Sequence, residues 1–226
     1  RTMPDDNVHR PDAELGGLRA HAFFHNVYGR LMTEATREGV MAAEPNKRPF
    51  VLSRANFIGG QRFAATWTGD NTADWAHFEE SVPMVLNLGL SAQPFAGPDI
   101  GGFAGNGPAG KEGELFARWM GVGTLLPFAR GHTGKESINK EPWAFDQKVE
   151  GTCRQALERR YRLLPYFYTL FEEAHRLGSP IVRPTFFADP KDPALRSEDD
   201  AFLLGGDLLV VPQLVPDRSR APAMPR

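Results

Sequence analysis

The sequence predicts an α/β fold in which short parallel strands alternate with helices and lead into an antiparallel β region. β-Prone runs and helical patterns alternate from residue 21 to residue 178, which implies parallel strands joined by right-handed crossovers. Each of four expected strands is followed by a polar residue: Arg54, Asp70, Asp99 and His132. Beyond residue 180 the runs Ile181-Val182-Arg183-Pro184, Ala201-Phe202-Leu203-Leu204 and Asp207-Leu208-Leu209-Val210-Val211 follow one another through turns, with no helix between the last two, as in an antiparallel sheet. A doubly wound sheet and a (β/α)8 barrel both accommodate the alternation. The polar strand ends favour the barrel, whose active sites are assembled from several strand ends on one face. Four βα units make half of one.

The elements follow in order. Residues 1–20, with Pro4, Pro11 and Gly16-Gly17, read as an exposed loop. A helix then runs from near His21 to about Ala43. Phe24, Val27, Tyr28, Leu31, Met32 and Ala35 fall on one stripe, Arg30 and Glu34 pair on the outer side, and Pro45 ends it. Residues 49–54 and 63–67 read as strands. A helix is expected to open at Ser81-Val82-Pro83, since proline is tolerated in a first turn, and to end at Ser91. Residues 94–97 make the third strand, a glycine-rich loop leads to a helix from about Glu112 to Gly121, and residues 125–129 make the fourth. The longest helix is expected to open on a Thr152/Gln155 capping box, to bury Leu157, Tyr161, Leu164, Tyr168 and Phe171, to kink at Pro165 and to stop at Gly178. The tail, residues 215–226, is rich in proline and arginine and is expected to be disordered.

Composition narrows the partners. The chain has 226 residues, 41% of them hydrophobic, enough for a sizeable core. Its 26 basic and 28 acidic residues are interspersed, offering no broad field for nucleic acid or anionic lipid. A neutral or polar small molecule is expected. A single cysteine, Cys153, excludes an intrachain disulfide or a thiolate cluster, the histidines show no paired ligand spacing, and no apolar run reaches membrane-spanning length. Met3 is internal and no secretory pattern follows, so the chain is expected to be a piece of something longer.

Chemistry centres on Thr66-Trp67-Thr68-Gly69-Asp70-Asn71, which sets an acid beside an indole and a glycine at the end of a β-prone run. An apolar wall disfavours a carboxylate's charged form and suits it to donating a proton near neutral pH. Gly-Asp-Asn is also an ordinary turn sequence. Arg54 could simply pair with a helix carboxylate, Asp99 could cap a turn, and His132 could be a satisfied loop residue. In a barrel, however, all four would converge on one mouth, and Trp67 and Phe103 would add flat apolar surface of the kind that stacks on sugar rings.

Four segments then resemble glycoside hydrolase family 31: residues 48–54, residues 62–71 with the Trp67-Thr68-Gly69-Asp70 core, Gly97-Pro98-Asp99-Ile100-Gly101-Gly102-Phe103, and residues 126–132 ending in Arg130-Gly131-His132. The family consists mainly of retaining α-glucosidases and α-xylosidases on a (β/α)8 barrel followed by two β domains. The resemblance implies that residues 1–179 are the C-terminal half of the barrel, strands five to eight, and that 180–214 begin the proximal β-sandwich. It implies that Asp70 is the general acid/base, that Arg54 and His132 hydrogen-bond sugar hydroxyls, that Asp99 orients Arg54, and that Trp67 and Phe103 line the pocket. No metal and no cofactor is implied, because two carboxylates suffice for the reaction. The family's nucleophile, about 5 Å from the acid, belongs to strand four. Of the remaining acids, Asp5, Asp6, Asp74 and Glu79 are nearest in sequence, but none follows a strand in a matching setting. The expected partners are thus an α-glucoside substrate and the missing upstream half of the polypeptide. Alternatives are an α-xylosidase, a non-catalytic sugar-binding homologue or a truncated remnant. One departure is Gly131-His132-Thr133, where many relatives have an asparagine beside the histidine.

Overall fold

The computed structural model describes residues 3–11, 13–216 and 225, so most of the tail expected to be disordered lies outside the described residues. The chain forms two compact units, Arg1–Ala65 and Thr66–Arg226.

In the first unit β1 (Val8–His9) and β2 (Arg19–Ala20) pair antiparallel, Val8 opposite Ala20 and His9 opposite Arg19. The expected loop is therefore a hairpin. Two-residue strands carry no alternation to detect, and the reversal is made by Gly16 and Gly17 at φ 87° and 72°. The hairpin sets His9 Nε2 3.0 Å from His21 Nδ1, a pairing that linear spacing could not reveal. Helix α1 (His21–Ala43) has the expected limits and the Arg30–Glu34 pair, 3.1 Å. Its buried residues, though, are His21, Phe24, Gly29 and Thr33, while Met32 and Ala35 are exposed. The reason is Gly29: a Cβ there would lie 2.6 Å from the Ala55 carbonyl oxygen, so backbone packs on the helix where it has no side chain. Strand β3 (Leu52–Ser53) is only two residues long.

In the second unit β4 (Ala65–Trp67) delivers Thr66 and Trp67 to a parallel pairing with β5 (Ala96–Gly97). Between them lies α2 (Trp75–Leu90), which opens earlier than expected because the Asp74 carboxylate accepts from the His77 N–H at 2.8 Å. Pro83 consequently sits inside the helix. Pro98, which has no N–H to give a ladder, separates β5 from β6 (Asp99–Ile100). β6 pairs in parallel with β7 (Arg130–Gly131) across α3 (Glu112–Gly123). The fourth strand is thus displaced from 125–129: Leu125 and Leu126 donate back to Val122 and Gly123, closing α3 with a turn, and Pro127 lacks a donor.

Helix α4 (Gln147–Leu177) runs as one element through Pro165 to Gly178, which closes it at φ 71°. Its cap is Asp146, which accepts from Val149 N–H at 2.8 Å, whereas Thr152 lies inside the helix and bonds the Lys148 carbonyl. The buried face is Val149, Cys153, Ala156, Phe167 and Leu170. The expected face is largely exposed, Tyr161 at 72%. The helix packs on α3, and Arg160 donates to the Thr124, Leu126 and Pro127 carbonyls, a contact that apolar periodicity does not count. β8 (Val182–Pro184), β9 (Phe202–Leu204) and β10 (Leu208–Val210) form the expected antiparallel sheet with β9 central. Phe78, Leu115, Trp119, Phe202 and Leu204 belong to one buried cluster. No helix among the described residues is long and apolar enough to cross a membrane.

Candidate active site

The C-terminal ends of β4, β6 and β7 gather five of the six expected site residues in the second unit. After β4 the chain turns at Gly69, φ 95°, a value that suits glycine, and Asp70 follows, exposed. Asn71 is buried and holds this turn in place. Its side-chain amide donates to the Asp99 carbonyl at 3.0 Å, its Oδ1 accepts from the Phe103 N–H at 2.9 Å, and its own carbonyl accepts from Phe103 and Ala104.

Asp99 opens β6 with a completely buried side chain. Arg130, from β7, reaches it with Nε donating to Oδ1 at 2.8 Å and Nη2 at 2.5 Å from the same oxygen. The guanidinium also lies over the Trp67 ring, 4.8 Å from its centroid. Burial pushes the Asp99 carboxyl above the ordinary carboxylate range. The hydrogen bond and charge of Arg130 pull it down, as does His132, and the charge of Asp70 pushes it up. Asp99 Oδ2 and Trp67 Nε1 are buried with no hydrogen-bond partner among the described residues.

Phe103 and His132 stack, ring centroids 5.1 Å apart and 25° from parallel. His132 is exposed and Phe103 and Trp67 are partly so, giving a surface of indole, phenyl and imidazole beside two carboxylates. Arg54, the sixth expected residue, follows β3 in the first unit and is exposed. The guanidinium on Asp99 that this cluster displays is that of Arg130. Arg130 and Asn71 were missed by sequence reasoning. Arg130 stands two residues before His132, a spacing that puts both on one side of a strand, and an asparagine after Gly-Asp is a known backbone-bonding residue; both signals were available. Among the described residues no group of three His, Cys, Asp or Glu side chains is arranged to hold a metal ion.

The arrangement can present an acid, an imidazole and a buried, arginine-oriented carboxylate to a polyhydroxylated ligand. Residues 2–170 match the sequence model of the glycosyl hydrolases family 31 TIM-barrel domain, and residues 178–226 that of the family 31 C-terminal domain. The chain is 44% identical to alpha-glucosidase 2 of Bacillus thermoamyloliquefaciens, covering 97% of this chain and 27% of that protein. It is 49% identical to a probable glucan 1,3-alpha-glucosidase of Arabidopsis thaliana, covering 92% and 22%. Among solved structures, a family 31 alpha-glucosidase from Bacteroides thetaiotaomicron superposes with a TM-score of 0.83 at 55% identity, over 93% of this chain and 34% of that one. The glucosidase II alpha subunit superposes at 0.87 and 40%, over 96% and 23%. The chain thus spans about a quarter of the length of the curated relatives it matches, and it belongs to glycoside hydrolase family 31, contributing residues to both its TIM-barrel and its C-terminal domain.

Proposed function

We propose that this chain carries the acid/base half of a retaining α-glucosidase that removes terminal α-linked glucose from oligosaccharides. The observation that carries the proposal is the cluster at the ends of β4, β6 and β7, where Asp70 is accompanied by the Asp99–Arg130 pair and the Phe103–His132 stack. Its chemistry fits glycoside hydrolysis. In the first step Asp70 protonates the glycosidic oxygen as the bond to the anomeric carbon breaks. In the second it takes the proton of the attacking water. His132 and Arg54 hydrogen-bond hydroxyls of the sugar, and Trp67 and Phe103 line the pocket that holds it. Asp99, fixed by Arg130, keeps the strand ends in register.

Retention needs a second carboxylate on the far side of the anomeric carbon, about 5 Å from the first. In this reading it stands at the end of barrel strand four, in polypeptide upstream of strands five to eight, which the present chain supplies. Residues 1–179 are then the C-terminal half of the barrel, 180–214 open the proximal β-sandwich, and the chain by itself does not turn over substrate. The similarity to proteins named alpha-glucosidase and glucan 1,3-alpha-glucosidase supports glucose as the sugar released.

The test is Asp70→Asn in the full-length polypeptide. Turnover of maltose is expected to fall by about 10²–10⁴-fold, the scale of a lost general acid, while sugar binding persists. Near-normal rates on maltose would overturn the assignment.

A further inference from the structure

Lys140 lies in the connection between β7 and α4, is not among the residues assigned above, and is buried, with only 8% of its surface exposed. Its ammonium donates to the Gly102 carbonyl at 2.7 Å. Burial lowers its pKa from the ordinary lysine value. A buried cation with one carbonyl for company is costly and does not by itself stabilise a fold.

What it holds is informative. The Gly102 carbonyl and the Phe103 N–H belong to one peptide unit. Lys140 binds the carbonyl end, and Asn71 accepts from the N–H end at 2.9 Å through both its backbone carbonyl and its Oδ1. Gly102 itself is at φ 80°, and a Cβ there would lie 2.4 Å from Ala73 Cα, so this peptide is pressed against the chain just beyond Asp70. The neighbouring Phe103 carbonyl accepts from Gly134 N–H at 2.7 Å, on the loop that starts at His132. A cation on the carbonyl polarises the peptide and strengthens its N–H as a donor.

We propose that Lys140 is a positioning residue for the reaction: by clamping the Gly102–Phe103 peptide it sets the Phe103–His132 stack and, through Asn71, the turn that carries Asp70. The three loops after β4, β6 and β7 are thereby fixed to one another at a single peptide plane. This inference rests on the glucosidase reading and deepens it.

The experiment compares full-length wild type with Lys140→Met, Lys140→Arg and Lys140→Gln on p-nitrophenyl α-D-glucoside at 25 °C, with thermal unfolding of each and Leu195→Ala as a control for lost stability, since Leu195 is buried in a turn outside these loops. Lys140→Met is expected to lose about 10–100-fold in kcat/KM, chiefly in kcat, the scale of a misplaced catalytic group. Lys140→Arg should recover most of it, and Leu195→Ala should lower the unfolding temperature without changing kcat/KM. Should Lys140→Met fail to fold, Lys140→Gln, which keeps a shorter neutral donor, is expected to show an intermediate loss. Folded Lys140→Met or Lys140→Gln with wild-type kinetics would overturn the inference, as would an arginine variant no better than methionine. A wild type inactive on α-glucosides would sink the glucosidase reading and this inference with it, whereas an active wild type with indifferent Lys140 variants would sink the inference alone.

Discussion

The strand ends of β4, β6 and β7 and the sheet of β8, β9 and β10 bury their residues in opposite ways. In the sheet, Phe202, Leu203 and Leu204 are all buried, and their neighbours pair by regular antiparallel register, Val182 and Leu208 both opposite Leu204. Nothing charged enters the strand. At the strand ends a carboxylate is completely buried, its second oxygen has no hydrogen-bond partner among the described residues, and an indole N–H beside it is in the same condition. Buried polar atoms are nearly always satisfied in folded proteins, and local rules are broken chiefly where function needs it. The sheet strand β9 is buried by apolar packing alone, whereas the strand ends bury a carboxylate held by one guanidinium, as the proposed sugar site would require.

That contrast can be broken by comparing stability with kinetics. Phe202→Ala removes a wholly buried ring from the sheet and should cost about 3–5 kcal/mol, read as a large fall in unfolding temperature, with kcat/KM unchanged wherever the protein is still folded. Asp99→Asn should cost less, about 1–3 kcal/mol for a charged hydrogen bond, yet lower kcat/KM by roughly tenfold or more because Arg130 loses its anchor. If the ring variant altered kinetics, or the carboxylate variant left them alone, the two regions would not differ in the way described.

A smaller effect sharpens the same point through pH. Burial, the dominant influence on Asp99, raises its folded pKa above the ordinary value of about 4. The folded state therefore holds this proton more tightly than the unfolded chain does. The resulting contribution to stability is fully present below about pH 4 and is lost as pH rises through the folded value. Unfolding temperatures of wild type and Asp99→Asn across pH 4–7 should show the wild type losing ground relative to the variant as pH rises. The sheet has no such group, and Phe202→Ala should run parallel to wild type over that range.

The same division explains what was legible in the sequence. Helix α1 could be delimited because apolar periodicity and Pro45 are local signals. The faces of α1 and α4 could not, because what decided them was Gly29 against Ala55 and Arg160 against three carbonyls, contacts made with residues distant in sequence or by atoms that a hydrophobicity pattern ignores. Asp70, Asp99 and His132 were legible since each follows a strand-like run. The partner of Asp99 was not, because β6 and β7 are only two residues long and their register, Asp99 opposite Arg130, is set by Pro98 interrupting one strand and by the closing turn of α3 displacing the other. Lys140 left no trace at all: its meaning comes entirely from the one carbonyl it reaches.

The smallest expected effect separates structure from function most cleanly, because it compares two equal parts. Asp74 and Asp146 are both N-cap residues, each accepting one backbone hydrogen bond at 2.8 Å, at the starts of α2 and α4. Replacing either by alanine should cost about 1 kcal/mol. Asp74, however, begins the helix four residues beyond Asp70, and the intervening segment is pinned to the β6 loop by the Ala73 N–H to Ala104 carbonyl bond of 2.8 Å. Loosening that helix start frees the turn that carries the acid, whereas the start of α4 is separated from Lys140 by the turn at Pro142–Ala144, so that loosening it leaves the Lys140 clamp in place. Asp74→Ala should therefore lower kcat severalfold while Asp146→Ala leaves it unchanged, with the two unfolding temperatures falling together. Equal kinetics in the two variants would mean that Asn71 alone is enough to hold the acid in place.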